Sequence, residues 1–379
     1  MLNNKNIIYF FVSGRKDRIR NNDVMAKEFF YGYHHFNKSN SVEIIEFNDN
    51  LAKPNNLRIL KFLDKVIRKL TLLPVFLSEI LSLLNLKKIN ESDHIVITND
   101  RIGCSILPML IYLKLFKKSS FTSSVFILGL FSNIKKSGLH SIFQKFYLYL
   151  FFKTIDNFIF IGEGEHAFAS NRFKKHQNKF IYLPFAIDTN FWKKNNQGIK
   201  KIQDYVLFVG NDSNREFIKV VEIAKNLPEI NFKFVTTQIN EKEMNLSNVE
   251  LVKGHWNHKL ISDEDLRDIY QNAVISILPL KNTLQPSGQS VALQSMSMEI
   301  PVMISDTDGF WDKTSFFHEE NIFFVDNNTV DNWTTELKKL YSDREKIYTV
   351  GKKGKSTIDK RFDLDTFYKG LEEIMRITT

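Results

Sequence analysis

Apolar and polar positions follow two alternating rhythms along this chain. Short apolar runs at residues 7–12, 42–47, 94–98, 124–128, 158–161 and 180–183 have the length and composition of strands buried on both faces. Between them, segments with helical spacing lie at 22–37, 101–118, 139–153 and 163–175. Some follow polar residues that can cap a helix. Strands separated by helices predict βαβ units and a parallel, doubly wound sheet, because a crossover between parallel strands needs a helix to cover one face.

The rhythm breaks at 190–203, where the run from Lys193 to Gly198 is polar and ends in glycine, as a linker does. A second alternation follows, with strands predicted at 205–210, 232–236, 249–252, 273–279, 302–305 and 322–325. The α/β organisation predicted is one Rossmann-like domain over 1–188, a linker over 189–203, a second Rossmann-like domain over 204–355, and a C-terminal segment over 356–379. At 379 residues, two domains of this size are ordinary.

Residues 286–309 are the most informative stretch: a turn of small residues, a helix, then a buried strand. Ser287, Gly288, Gln289 and Ser290 place small side chains and backbone N–H groups where the helix begins, just past the apolar run 273–279. A helix N-terminus with unpaired donors and partial positive charge attracts anions, and open α/β sheets bind ligands at the carboxyl ends of their strands. The turn from Gly210 to Arg215 also joins a strand to a helix, and Arg215 could clamp a phosphate by charge-assisted hydrogen bonds. The plainer alternatives are a well-capped helix without a ligand and a solvated arginine on an ordinary turn.

Charge is unevenly spread. The net charge is +9, but residues 1–190 hold 27 Lys/Arg against 15 Asp/Glu, whereas 191–379 hold 25 against 28. The first half therefore suits an anionic partner: a membrane surface, a phosphate-bearing substrate or nucleic acid. No nucleic-acid module is recognisable, and the lysines are scattered over several elements, so nucleic acid is not expected. A single cysteine, Cys104, excludes a disulfide framework and points to a reducing compartment. No signal-peptide pattern opens the sequence and no 18-residue uncharged apolar window occurs in it. A cytoplasmic protein is expected, with a peripheral place on the inner face of the membrane as an extension of that expectation. The histidines and the cysteine show no zinc spacing, so no metal and no cofactor are expected. Walker A, dinucleotide and nucleophile-elbow motifs are missing, which disfavours ATPase, dehydrogenase and hydrolase chemistry.

The run from Gln294 to Val302 resembles the donor-binding segment of GT-B glycosyltransferases, specifically the retaining, nucleotide-sugar-dependent group 1 (family 4-like) enzymes. Four further stretches resemble that family in the right order: 182–191 at its domain junction, 205–211 at its first C-domain strand, 266–273 before the donor strand, and 362–368 in its last helix. The resemblance is fair over 180–379 and weak over 1–130. It implies two Rossmann-like domains facing a central cleft, with the final helix, within 356–379, crossing back to the N-terminal domain. It implies a glycosyltransferase that moves a sugar from a nucleotide-sugar donor to a lipid-linked or surface-polysaccharide acceptor, with retention of configuration.

The same resemblance distributes roles. Arg215, Ser287, Gly288, Gln289 and Ser290 fall at the donor diphosphate, as do Gly14 and Arg15 in the turn after the first strand. Gly210 and Gln294 fall at the nucleotide, with Gln294 on the ribose, and His255 or Trp256 could stack on the base. Asp100 and Arg101, ending another strand, could meet acceptor hydroxyls. The chain departs from the family where its paired glutamates should stand: Pro286 and Gln294 occupy those positions. That degeneracy leaves the catalytic residues unassigned and supports an alternative, a GT-B-like binding or scaffold protein without activity. Finally, 57–88 and 135–153 mix Lys and Arg with Leu, Ile and Phe at helical spacing. Such faces either dock on an anionic membrane surface or pack the N-domain core.

Overall fold

In the computed structural model, residues 5–21, 24–47, 57–135, 137–194, 204–240, 246–254 and 260–376 are described. They divide into two compact units. The first comprises the described parts of Met1–Asp23, Phe30–Leu183 and Tyr368–Thr379; the second comprises those of Val24–Phe29 and Pro184–Phe367.

The first unit holds strands β1 (Asn6–Phe11), β2 (Ser41–Glu46), β3 (His94–Ile97), β4 (Thr122–Ile127), β5 (Asn157–Phe160) and β6 (Phe180–Tyr182). They form one parallel sheet in the order β2-β1-β3-β4-β5-β6. Its helices are α1 (Arg15–Arg20), α2 (Tyr33–Phe36), α3 (Leu57–Thr71), α4 (Leu83–Asn90), α5 (Asp100–Phe116), α6 (Leu139–Thr154) and α7 (Glu163–Arg172). Phe10, Ile97, Val125 and Phe158 from the strands pack with Ile106 and Leu110 of α5 and Phe151 and Phe152 of α6. Each such side chain, fully buried, contributes roughly 1.5–3 kcal/mol through loss of apolar surface to water.

The second unit repeats the plan with β7 (Tyr205–Val209), β8 (Phe232–Val235), β9 (Val249–Val252), β10 (Ala273–Leu278), β11 (Val302–Ser305) and β12 (Phe323–Val325). All five pairings are parallel, in the order β12-β11-β10-β7-β8-β9. Its helices are α8 (Phe217–Asn226), α9 (Asp263–Gln271), α10 (Gln289–Ser297), α11 (Val330–Ser342), α12 (Arg344–Arg361) and α13 (Leu364–Met375), the last contributing Tyr368 onward to the first unit. Within the first unit, Glu372 bonds His35 Nε2 at 2.7 Å and Tyr368 stacks on the His35 ring.

Strand order fixes where ligands fit. In the second unit the chain winds outward from β7 through β8 to β9, then returns to the other side of β7 with β10. The crevice at such a switch point, beyond the carboxyl ends of β7 and β10, is where doubly wound sheets bind nucleotides. In the first unit the switch falls between β1 and β3.

Two helical predictions fail. Instead of one helix over 22–37, the described residues contain a short 3-10 turn, Glu28–Phe30, and the four-residue α2. Tyr31 and Gly32 take positive φ values of 46° and 87°, which end a right-handed helix. The basic stretch 57–88 is two helices, α3 and α4, interrupted at Leu72 (φ 56°) and Pro74.

Candidate functional site

In the second unit the two turns at the switch point are bound to one another. The chain from Asp212 to Glu216 runs antiparallel to Pro279–Lys281. Arg215 bridges Leu280, Lys281 N donates to Asn214 O at 2.9 Å, and Glu216 N donates to Pro279 O at 3.0 Å. Asn214 Nδ2 then reaches across to Gln285 Oε1 and to Ser287 Oγ, at 3.0 and 2.9 Å. Asn211 fastens the other side: its amide donates to Gly254 O at 2.7 Å and its oxygen accepts from Thr237 N at 2.7 Å. The exits of β7, β8 and β9 are thus tied together by one short polar side chain.

Arg215 lies where these turns meet and is only 3% exposed. Its Nε lies 2.9 Å from Asp212 as an ion pair without hydrogen-bond geometry, and neither Nε nor Nη1 has a hydrogen-bond partner among the described residues. The guanidinium passes over two glycines. A Cβ built on Gly210 would stand 2.4 Å from Arg215 Nε, and one on Gly288 would stand 2.8 Å from Nη1. Gly288 (φ 79°) is also the N-cap of α10, and no side chain caps that helix. A buried cation with an unused donor therefore lies at the positive end of a helix dipole. A buried unsatisfied N–H costs about 1–3 kcal/mol, and an anion seated here would recover it.

Beside the turn is a cavity of 130 Å³, lined among others by Val209, Asn211, Gly254, Ser290, Gln294 and Phe29. Gln294 projects from α10 into a buried polar network. Its Oε1 accepts from Tyr270 at 3.2 Å and its Nε2 donates to Glu28 at 2.9 Å. Of the residues predicted from sequence, Gly210, Arg215, Ser287, Gly288, Gln289, Ser290 and Gln294 all fall in this region of the second unit. His255 and Trp256 lie outside the described residues.

The remaining candidates belong to the first unit. Gly14 (φ 96°) ends the turn after β1. The N–H groups of Arg15 and Lys16 both donate to Glu46 Oε1, at 2.6 and 2.8 Å, so that helix start already holds a carboxylate. Burial lowers Arg15 to about 10. Asp100 opens α5 and lines a cleft of 510 Å³ with Arg68, Gly129, Asn133 and Lys135. Burial raises Asp100 to about 6, against the lowering effect of backbone hydrogen bonds. Arg101 does not line that cleft; its guanidinium stacks over Phe76 at 4.0 Å and Phe47 at 5.1 Å.

Two buried acids were missed by the sequence reading. Glu165 accepts from Gly129 N at 2.8 Å and Phe131 N at 2.9 Å, which shapes the turn bordering the Asp100 cleft; burial raises it to about 8. Glu28 lies within the span 22–37, whose spacing predicts an ordinary helix. Neither carries a local motif, and their partners are 34 to 266 positions away. Among the described residues no group of three or more His, Cys, Asp or Glu is placed to hold a metal.

No family model matches the sequence, and no curated protein does. Solved structures share its fold along its whole length. Sucrose-phosphate synthase from Thermosynechococcus elongatus matches with a TM-score of 0.66 and 12% identity, over 98% of each chain. A glycosyltransferase from Rickettsia africae matches at 0.66 and 13%, over 99% of each. Anabaena HepE, in complex with UDP and glucose, matches at 0.64 and 12%, over 98% of this chain and 99% of that one. The chain has the GT-B glycosyltransferase fold, two Rossmann-like units each built on a six-stranded parallel sheet. At these identities the likeness is one of fold.

Proposed function

We propose that the protein is a glycosyltransferase that binds a nucleotide sugar in its second unit, with the diphosphate at Arg215 and the start of α10. One observation carries this reading: the buried Arg215 guanidinium, with an unused Nη1 donor, at the uncapped N-terminus of that helix. The charge that develops on a departing nucleoside diphosphate would be met there by fixed N–H dipoles and a cation, so the role a metal often plays falls to Arg215. Ser287 and Ser290 border the diphosphate, Gln294 the ribose, and Gly210 leaves room for the guanidinium. Transfer with retention follows only from the resemblance to group 1 enzymes.

The acceptor reading rests on the first unit. Its 510 Å³ cleft presents Asp100, Asn133, Lys135 and Arg68, groups that hydrogen-bond hydroxyls or pair with phosphate. A lipid-linked or polysaccharide precursor fits this chemistry. The outer face of α6 also supports contact with an anionic membrane: Leu139, Ile142, Phe146 and Tyr149 are exposed along it. A groove alongside is lined by Lys145, Arg172, Lys174, Lys175 and His176. An apolar stripe flanked by cations suits a peripheral, inner-face position. No helix among the described residues is long and apolar enough to cross a membrane.

The test is thermal stabilisation by UDP, GDP, ADP, CMP and their sugar conjugates, starting with UDP because the Anabaena neighbour holds it. A rise in melting temperature with one nucleotide family is the expected result. No rise with any of them overturns the reading and favours the binding or scaffold protein that Pro286, in place of the family's first glutamate, keeps open.

A further inference from the structure

Glu28 belongs to no recognised motif, yet it is among the most buried acids of the second unit, 1% exposed. Its Oε1 accepts from Trp192 Nε1 at 2.7 Å and from Gln294 Nε2 at 2.9 Å, and its Oε2 accepts from Asp188 N at 3.4 Å. Trp192 and Gln294 both line the 130 Å³ cavity, as does Phe29, the residue after Glu28. The segment Val24–Phe29 is anchored in the second unit at a further point, where Ala26 N donates to Asp263 at 3.1 Å.

Resting on the nucleotide reading above, we infer that Glu28 is a positioning residue that fixes the Gln294 amide for recognition of the ribose hydroxyls. An ionised carboxylate can only accept, so it faces Nε2 of the amide and not the carbonyl. At the other end Tyr270 donates its hydroxyl to Oε1. The bond to Glu28 specifies one of the two amide orientations, and the Tyr270 hydroxyl, which can donate or accept, follows it. The two bonds leave Gln294 with one N–H and one carbonyl lone pair, a donor and an acceptor side by side. Each hydroxyl of a ribose diol can both donate and accept, which matches that pair.

Burial works against this arrangement. It raises Glu28 to about 7, with Asp188 adding to the rise and the bonds from Gln294 and Trp192 opposing it, so the acceptor-only carboxylate is complete only above that pH, where the binding is measured. A buried acid with a shifted pKa, bonded to two residues that line a cavity, is a pattern found at functional sites.

The experiment measures binding of UDP, GDP and ADP, and of their 2′- and 3′-deoxy counterparts, to the full chain and three variants. Wild type is expected to prefer the ribonucleotide. Glu28→Gln, isosteric and uncharged, should melt no lower than wild type but lose about tenfold of that preference, because an amide facing an amide accepts either orientation; tenfold corresponds to ~1.4 kcal/mol. Gln294→Glu sets two carboxylates against each other, so one must hold a proton, and ribonucleotide binding should weaken, more so as pH rises. The exchange Glu28→Gln with Gln294→Glu restores one acid and one amide, and should recover most of the affinity. Unchanged ribose preference in Glu28→Gln overturns the inference, as does a double variant no better than Gln294→Glu. A wild type that binds none of the nucleotides overturns the proposed function first, and this inference with it.

Discussion

Arg215 shows how one side chain acquires a role from its surroundings. Arginine on a βα turn is commonly solvated, but here the guanidinium is enclosed by two glycine turns and held at one end by Asp212. Its planar fork keeps a donor available after that pairing. Arg215→Ala should weaken nucleoside diphosphate binding about 10- to 100-fold, the loss of one charge-assisted hydrogen bond of ~1.5–3 kcal/mol. Isothermal titration with the nucleotide found in the thermal panel checks this. Unchanged affinity would remove Arg215 from the site. The position of Arg215 was legible from sequence because a glycine turn after an apolar run marks the end of a strand. Its burial was not, since that depends on Gly288, 73 residues further on. Glu28 and Glu165 were illegible for the same reason: an acid on a segment with helical spacing reads as solvated until the chain folds over it.

At the scale of elements, strands were read within about two residues, because a short apolar run between polar segments has few other uses; most are buried on both faces, whereas the edge strands β2 and β9 are partly exposed. The helix α10 and its approach were read equally well. Gly288 joins both levels: its φ of 79° suits glycine, and its missing Cβ admits the Arg215 Nη1. Gly288→Ala should lower stability by roughly 1–2 kcal/mol, from the left-handed backbone alone. By displacing the guanidinium, it should also weaken nucleotide binding as much as Arg215→Ala does. Melting curves read the first effect and titration the second; intact affinity would show that the guanidinium tolerates the methyl group. Where sequence failed at this scale, at 22–37, hydrophobic spacing suggested a helix that the backbone at Tyr31 and Gly32 ends. Residues 24–29 instead serve the second unit, an outcome set by their partners Asp263, Trp192 and Gln294.

At the scale of the whole chain, the charge asymmetry has a structural counterpart in the first unit. Lys145, Arg172, Lys174 and Lys175 line one groove, and none has a carboxylate within ion-pair distance among the described residues. Four neighbouring apolar side chains on α6 are exposed. The protein should sediment with vesicles containing anionic phospholipid and not with neutral ones, and binding should weaken as salt rises. Lys174→Glu with Lys175→Glu should reduce the anionic binding several-fold without lowering the melting temperature. Equal sedimentation of the variant and wild type would return this face to ordinary solvated surface.

The sequence by itself determined the α/β class, the tandem of two units and the strand–turn–helix at 286–309, because each is written in local periodicity and in residues such as glycine that act through the backbone. Only the tertiary structure decided that β7 and β10 lie side by side, that Arg215 is buried between two turns, and that Glu28 meets Gln294 across 266 positions. Those facts rest on contacts between distant segments. No local pattern encodes them, because burial and partner choice are set by what packs above a residue and not by its neighbours in the chain.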